Sequence, residues 1–348
     1  GVVMHMAPRV LRGYGHYHFA ATPYNGIVAG DTQSTFWARL FMFTMLQRMA
    51  DDYPLHTFRT FIDDINQSHY HHNCDVVARC MTEAGEHLTE ALIGSHLIIS
   101  NKSVCLASKQ EISDQVIGYF GRRGITVRVA KHSKDLGVGN TAGRGRCAAY
   151  INSRIISIRG RVSRIKMLHR FHKKAGKLFN SGAYPQGTYG FQAYGVAPST
   201  LRDLRALAAS AVSTNVKGQC ATTCIWLHLL PQHDPAVKMP LEQIKMWFWL
   251  LGQTDPRLIE KAWVKAKADL ASSSYNWNRV KGPLGATIGT LRETGWNPIS
   301  PYKWIDPNGG EWLLKPGGSL TQLYFEFKEF LHREIWRRAS NFHNGKGL

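Results

Sequence analysis

Two consecutive aspartates, Asp63 and Asp64, stand between the apolar β-formers Phe61-Ile62 and Ile65, in a segment from Phe58 that reads as a hairpin. Side chains alternate across a strand, so an acidic pair where a strand turns over can be offered at one exposed edge. A hydrophobic strand does nothing for a desolvated carboxylate, and the usual reason to hold two there is a divalent metal. Magnesium takes hard oxygen ligands, and phosphoryl-transfer sites supply one or two carboxylates while substrate phosphates supply others. Asp51-Asp52 is the internal contrast: it precedes Tyr53-Pro54 and reads as a solvated helix end.

The elements that must position this pair are legible nearby. Upstream, Gly26 and Gly30 lead through the candidate N-caps Asp31 and Thr32 into a helix expected to run through Phe36, Leu40, Met42 and Leu46. Glycine permits close backbone approach, so a ligand could pack on that turn. Downstream, a helix is expected from Asp75 to Ile93, then an extended run from Leu97 to Val104, then Ile125 to Val129. His69, His71, His72 and Cys74, and likewise Cys220 and Cys224, lack the second paired set that structural zinc usually needs, so packing is the favoured reading of both.

Charge is the other signal. The 348 residues carry a formal net charge of +19, with 44% hydrophobic and 19% charged residues. That composition describes an ordered chain whose partner is a polyanion. Residues 122–177 hold a dense series of cations opposed only by Asp135. There Ile158, Val162, Ile165, Leu168, Phe171, Ala175 and Leu178 recur at helical spacing, giving an amphipathic helix with a cationic polar face. Arg159, Arg164, Lys166, Arg170, Lys173, Lys174 and Lys177 are the expected nucleic-acid contacts, and His169 and His172 are expected to meet phosphate or water. A membrane-surface helix shares this pattern, but is more often terminal and carries Trp or Phe on its apolar face. No apolar run is long enough to span a bilayer, and six scattered cysteines fit reduced thiols, so an intracellular location is expected.

In order, these features resemble the palm of reverse transcriptases, most closely those of non-LTR (LINE-like) retrotransposons. Phe61 to Asp64 resembles the Phe-x-Asp-Asp hairpin, and Gly30 with Ser34 resembles the Gln-Gly-x-x-x-Ser turn. Asn101-Lys102-Ser103 resembles the motif whose lysine approaches nucleotide phosphates, and Lys134-Asp135-Leu136-Gly137 resembles the hairpin that grips the primer end. The resemblance covers about residues 20 to 215 and implies an α+β fold: a partial right-hand polymerase palm, an antiparallel sheet with helices, over residues 1–140. A basic helical thumb over 141–215 and a mostly helical connection region with a short hairpin over 216–348 follow. It implies an RNA-directed DNA polymerase using Mg2+ (or Mn2+), an RNA template, a DNA primer or RNA–DNA hybrid and dNTP, with a nuclear location. Asp63 and Asp64 would hold metal, and Lys102 would act on the leaving pyrophosphate. Gly30, Ser34 and Phe61 would line the nucleotide and template pocket, and Leu136 and Gly137 would hold the primer.

The departures from the family pattern bear on activity. Ala29 replaces the usual Gln and Asp135 a common aromatic, and residues 1–25 contain neither Asp nor Glu, where the family's first metal-binding Asp belongs. Two-metal chemistry needs carboxylates from both strands. The isolated chain is therefore expected to lack the fingers and first palm motif and to be inactive; the alternative is a non-catalytic RNA-binding scaffold derived from such an enzyme.

Further along, Pro198 is expected to open a helix through Ala211, Pro240 to start a helix from Leu241 to Leu251 ended by Gly252, and Pro283 to Thr294 to close at Gly295. Ser319 is expected to cap a helix from Leu320 to Ala339, and Tyr302 to Leu314 to form a hairpin. Most tryptophans are expected in the core.

Overall fold

The computed structural model describes residues 9–13, 16–21, 33–61, 64–143, 145–213, 219–271, 277–314 and 320–341. It is an α+β chain in which long helices outweigh small sheets, and it divides into two units, Gly1–Ala130 and Lys131–Leu348.

In the first unit β1 (Arg9–Gly13) pairs antiparallel with β2 (His16–Ala21). Helix α1 (Ser34–Asp52) follows and ends on the solvated Asp51-Asp52 pair. The acidic run then folds as expected, β3 (His56–Phe61) pairing antiparallel with β4 (Asp64–His69). Asn73 caps α2 (Cys74–Gly94), its side chain accepting from the backbone N–H of Asp75 at 2.8 Å and of Val76 at 3.4 Å. Helix α3 (Gln110–Arg122) buries Ile112, Val116 and Phe120 beside Ala78 of α2. The extended run expected from Leu97 to Val104 is mostly not a strand. Ser103 donates its N–H to the Ser100 carbonyl at 3.1 Å, a turn that leaves only β5 (Val104–Cys105) to pair, in parallel, with β6 (Arg128–Val129).

The second unit opens with the hairpin β7 (Ser133–Asp135) and β8 (Val138–Asn140), so the Lys134 to Gly137 segment lies with the residues that follow it. Helix α4 (Ala149–Phe171) packs Ile151, Ile155, Ile158, Val162 and Ile165 against α6 (Pro198–Val212) and α7 (Ala221–Leu229). The short α5 (Tyr184–Thr188) lies between α4 and α6 in sequence. The basic helix is shorter than its periodicity predicts. It stops at Phe171, His172 turns extended, and Lys173–Lys177 continue as a 3-10 turn. The buried set runs 155, 158, 162, 165, 169, so His169 takes the inward place and Leu168 and Phe171 rotate outward.

A second core of the same unit gathers α8 (Pro235–Gln253), α9 (Pro256–Asp269), α10 (Gly282–Glu293) and α11 (Leu320–Asn341) around Trp247, Trp263, Trp296 and Trp304. The three strands β9 (Asn297–Ser300), β10 (Lys303–Ile305) and β11 (Glu311–Leu313) form an antiparallel sheet in the order β11-β10-β9. Helix α8 starts five residues before Pro240 and runs past Gly252. Asp234 caps it, accepting from the Ala236 N–H at 2.9 Å, and Pro235 takes the first helical position, where its missing N–H costs nothing. Pro240 is accommodated inside the helix. Helix α10 ends as expected, with Gly295 at φ +82°. Ser319 lies outside the described residues.

Candidate nucleic-acid interface

The hairpin of the first unit rests on α1 and α2 through Phe58, Ile65, Met49, Ala84 and Leu88. Its register runs from His56↔His69 at the open end to Phe61↔Asp64 at the other. Asp64 is thus the first residue of β4, solvent-exposed opposite an exposed Phe61. Asp63 lies outside the described residues, as does Gly30, while Ser34 heads α1. Lys102 is exposed in the Ser100–Ser103 turn, its N–H donating to Ser100 Oγ at 3.2 Å. Among the described residues no three His, Cys, Asp or Glu side chains gather into a metal-holding group. Asp63 is not among those residues; the Asp64 carboxylate, exposed at the start of β4, is a hard oxygen donor of the kind magnesium takes.

In the second unit the hairpin β7–β8 turns through Leu136 at φ 46° and Gly137 at φ 81°. Both central residues are left-handed, as a two-residue turn matching the twist of its strands requires. The Arg154 guanidinium of α4 donates to the carbonyls of Gly137 and Tyr189 and lies 5.1 Å over the Tyr189 ring. This latch fixes the hairpin against α4. A Cβ at Gly137 would meet Arg154 Nη2 and Tyr189 Cε1, each at 2.9 Å.

Opposite its buried face, α4 carries an exposed ridge of Ile156, Gly160, Ser163, Met167 and Phe171. At 1.5 Å per residue, Ile156 to Phe171 spans about 22 Å. Arg159, Lys166 and Arg170 run along one flank of the ridge at helical spacing, and Arg164 lies on the other. Lys173, Lys174 and Lys177 extend the positive surface beyond the helix end and are all exposed. Arg159 faces Asp203 at 4.0 Å, whereas Arg161 is tied inward to Gly182 and Gln186. The polar face is therefore not a plain cationic strip. Phe171, 91% exposed, lies outside although its spacing predicts the buried side, and the alignment of Ile156, Met167 and Phe171 becomes visible only once the helix rotation is known.

His169 does not meet phosphate or water. It is 3% exposed, its ring edge-on to His228, and burial chiefly, with Lys173 and His228 beside it, holds its pKa below the ordinary imidazole value. His172, by contrast, is exposed at the helix end. Ile156 and Met167 give no signal in sequence, because an apolar residue amid arginines stands out only once its neighbours on the wheel are fixed, and the latch made by Arg154 of the cationic series depends on the Tyr189 segment 35 residues away.

Among the described residues no helix is long and apolar enough to cross a membrane. A scan against protein-family profiles finds no matching family, and searches of curated proteins and of solved structures find no similar chain.

Proposed function

We propose that this chain is the palm and thumb portion of an RNA-directed DNA polymerase of the non-LTR retrotransposon type, and that α4 is its grip on an RNA–DNA hybrid. The observation that carries the reading is the ridge of α4. An exposed line about 22 Å long, apolar at Ile156, Met167 and Phe171 with Gly160 and Ser163 between them and with cations on both flanks, fits a wide and shallow groove. The ridge lies against sugars and base edges while the flanking arginines meet the phosphates of the two strands. The overall charge of +19 draws the same partner.

The remaining roles follow the resemblance. Asp63 and Asp64 would hold magnesium or manganese, which when bound supplies positive charge for nucleotidyl transfer. Lys102, exposed in its turn, neutralises the leaving pyrophosphate. Gly30, Ser34 and Phe61 line the nucleotide and template pocket, and the Leu136-Gly137 turn, latched by Arg154, seats the primer end. Because residues 1–25 hold no carboxylate to complete the metal site, the 348-residue chain binds primer–template without extending it.

The test is fluorescence anisotropy with labelled hybrid, DNA duplex and single strands of equal length, run beside primer extension in magnesium and in manganese. Preference for hybrid without extension supports the reading. Equal affinity for all forms removes the groove argument, and extension that disappears in Asp63→Ala shows that another residue completes the site.

A further inference from the structure

A second face of the C-terminal unit, remote in sequence from α4, has the makings of a base-binding site. On α8, Lys238, Glu242, Lys245, Met246 and Trp249 fall at i, i+4, i+7, i+8 and i+11, which is one face of a helix. Four of them, with Gln192 from the 3-10 turn Phe191–Ala193, line a shallow cavity of about 410 Å³. That volume lies within the range of small-molecule sites. Trp247 and Trp263 are fully buried, but Trp249 is 59% exposed, a bare indole face beside the thioether of Met246.

The polar groups around this apolar floor are positioned by neighbours. The Tyr184 hydroxyl donates to Glu242 Oε2 at 3.2 Å, and Lys238 Nζ lies 3.8 Å from Glu242 Oε1 and 4.0 Å over the Tyr184 ring. Lys245 Nζ sits 4.8 Å over the Tyr324 ring. Burial pushes the Glu242 carboxyl up from its ordinary value, and Lys238 opposes that push. The site thus combines an aromatic platform, an oriented carboxylate acceptor, an amide and one lysine, Lys245. A purely aliphatic partner would use neither the carboxylate nor the lysine, and a peptide would leave the exposed indole without a planar partner to stack on it.

We propose that this cavity takes one unpaired guanine nucleotide: the base stacks on Trp249 and Met246, and its edge donates to Glu242. Guanine offers two N–H donors side by side on that edge, which one carboxylate can accept together. Lys245 meets the phosphate, the Gln192 amide serves the remaining acceptor edge, and Lys238 holds Glu242 in place. The nucleotide can be free or part of a single strand; the recognising chemistry is the same. The inference stands on α8 and its surroundings and does not depend on the α4 reading.

The test uses anisotropy with fluorescein-labelled U12 and with U12 carrying one central guanosine, against the full chain and its variants. The guanosine oligomer should bind more tightly. Trp249→Ala should erase that preference and lose about 5- to 100-fold in affinity, the range of one base–aromatic stack. Trp249→Phe should keep most of it, because a ring remains. Glu242→Gln, which still gives Tyr184 a partner, should weaken the preference for guanosine over U12. Competition by free GMP would assign the site to soluble nucleotide, and loss of competition with the oligomer preference intact would assign it to a strand. Trp249→Ala with unchanged preference, or equal binding of both oligomers to the unaltered chain, overturns the proposal. Neither result bears on hybrid binding at α4, which is measured separately with Arg164, Arg170 and Lys174 neutralised.

Discussion

Replacing Arg164, Arg170 and Lys174 together by glutamine tests the electrostatics of α4 in numbers. All three are exposed at the α4 end of the positive surface, and Arg164 and Arg170 flank its ridge on opposite sides. Arg159 is partly offset by Asp203 at 4.0 Å, which leaves Arg164, Lys166, Arg170, Lys173, Lys174 and Lys177 as the cations free to meet phosphates. Each neutralised phosphate contributes about 0.9 to the slope of log K against log salt, so these groups give a slope near −5.4 and the triple variant about −2.7. Between about 50 and 200 mM salt, the unaltered chain should then lose roughly a thousandfold or more in affinity and the variant only about fortyfold. The assay is anisotropy with a labelled RNA–DNA hybrid across that salt range, with circular dichroism to confirm the helix. A slope that stays the same while affinity falls would mean the cations act through folding, and an unchanged isotherm would place the binding surface elsewhere.

Asp234 is fully buried and joined to Arg205 by two hydrogen bonds of 2.8 Å, to Trp226 Nε1 at 3.2 Å and to the start of α8. Asp234→Ala should therefore destabilise the chain by about 3–5 kcal/mol in urea unfolding, since it strands the guanidinium and removes a cap. Gly137→Ala should cost about 1–3 kcal/mol and loosen the β7–β8 hairpin, because alanine disfavours φ 81° and its Cβ would press on Arg154 and Tyr189; the urea midpoint and exchange of the hairpin amides report it. His169 is held neutral by burial, its folded pKa lying below the ordinary 6.5. Its contribution to stability is present above that value and lost as pH falls below it toward the folded pKa, so His169→Gln should flatten the stability profile on the acid side of about pH 6.5.

What the sequence makes legible here follows from how local each signal is. The β3–β4 hairpin can be read because a strand-forming segment interrupted by an acidic pair offers one turning point, and β3 and β4 pair in the register Phe61↔Asp64. Caps and prolines locate α6 and the end of α10 because their effects reach only a turn. The errors come from competition between local signals or from tertiary choice. Pro240 signals a helix start on its own, but Asp234-Pro235 supplies a stronger one just upstream. The α4 periodicity fits equally well with Leu168 and Phe171 inside or with His169 inside, and packing beside α7 and the 3-10 turn decides for the histidine. The run from Leu97 to Val104 is apolar enough for a strand, but Ser100 and Ser103 close a turn within it. The cavity at Trp249 joins α8 to residues some fifty positions away, and spacing along one helix cannot reveal it.

If a polymerase metal site and a hybrid grip belong to the same chain, manganese should be held where the two meet a recessed primer end. Electron paramagnetic resonance of Mn2+ would be recorded with the chain bound to an RNA–DNA hybrid carrying a recessed primer end. The account expects manganese held in the complex, weakly in the hybrid-free chain, and lost in the Asp63→Ala/Asp64→Ala variant while hybrid affinity is retained. Manganese binding identical in the unaltered chain and the double variant would contradict it, and would leave an RNA-binding scaffold as the reading of this molecule.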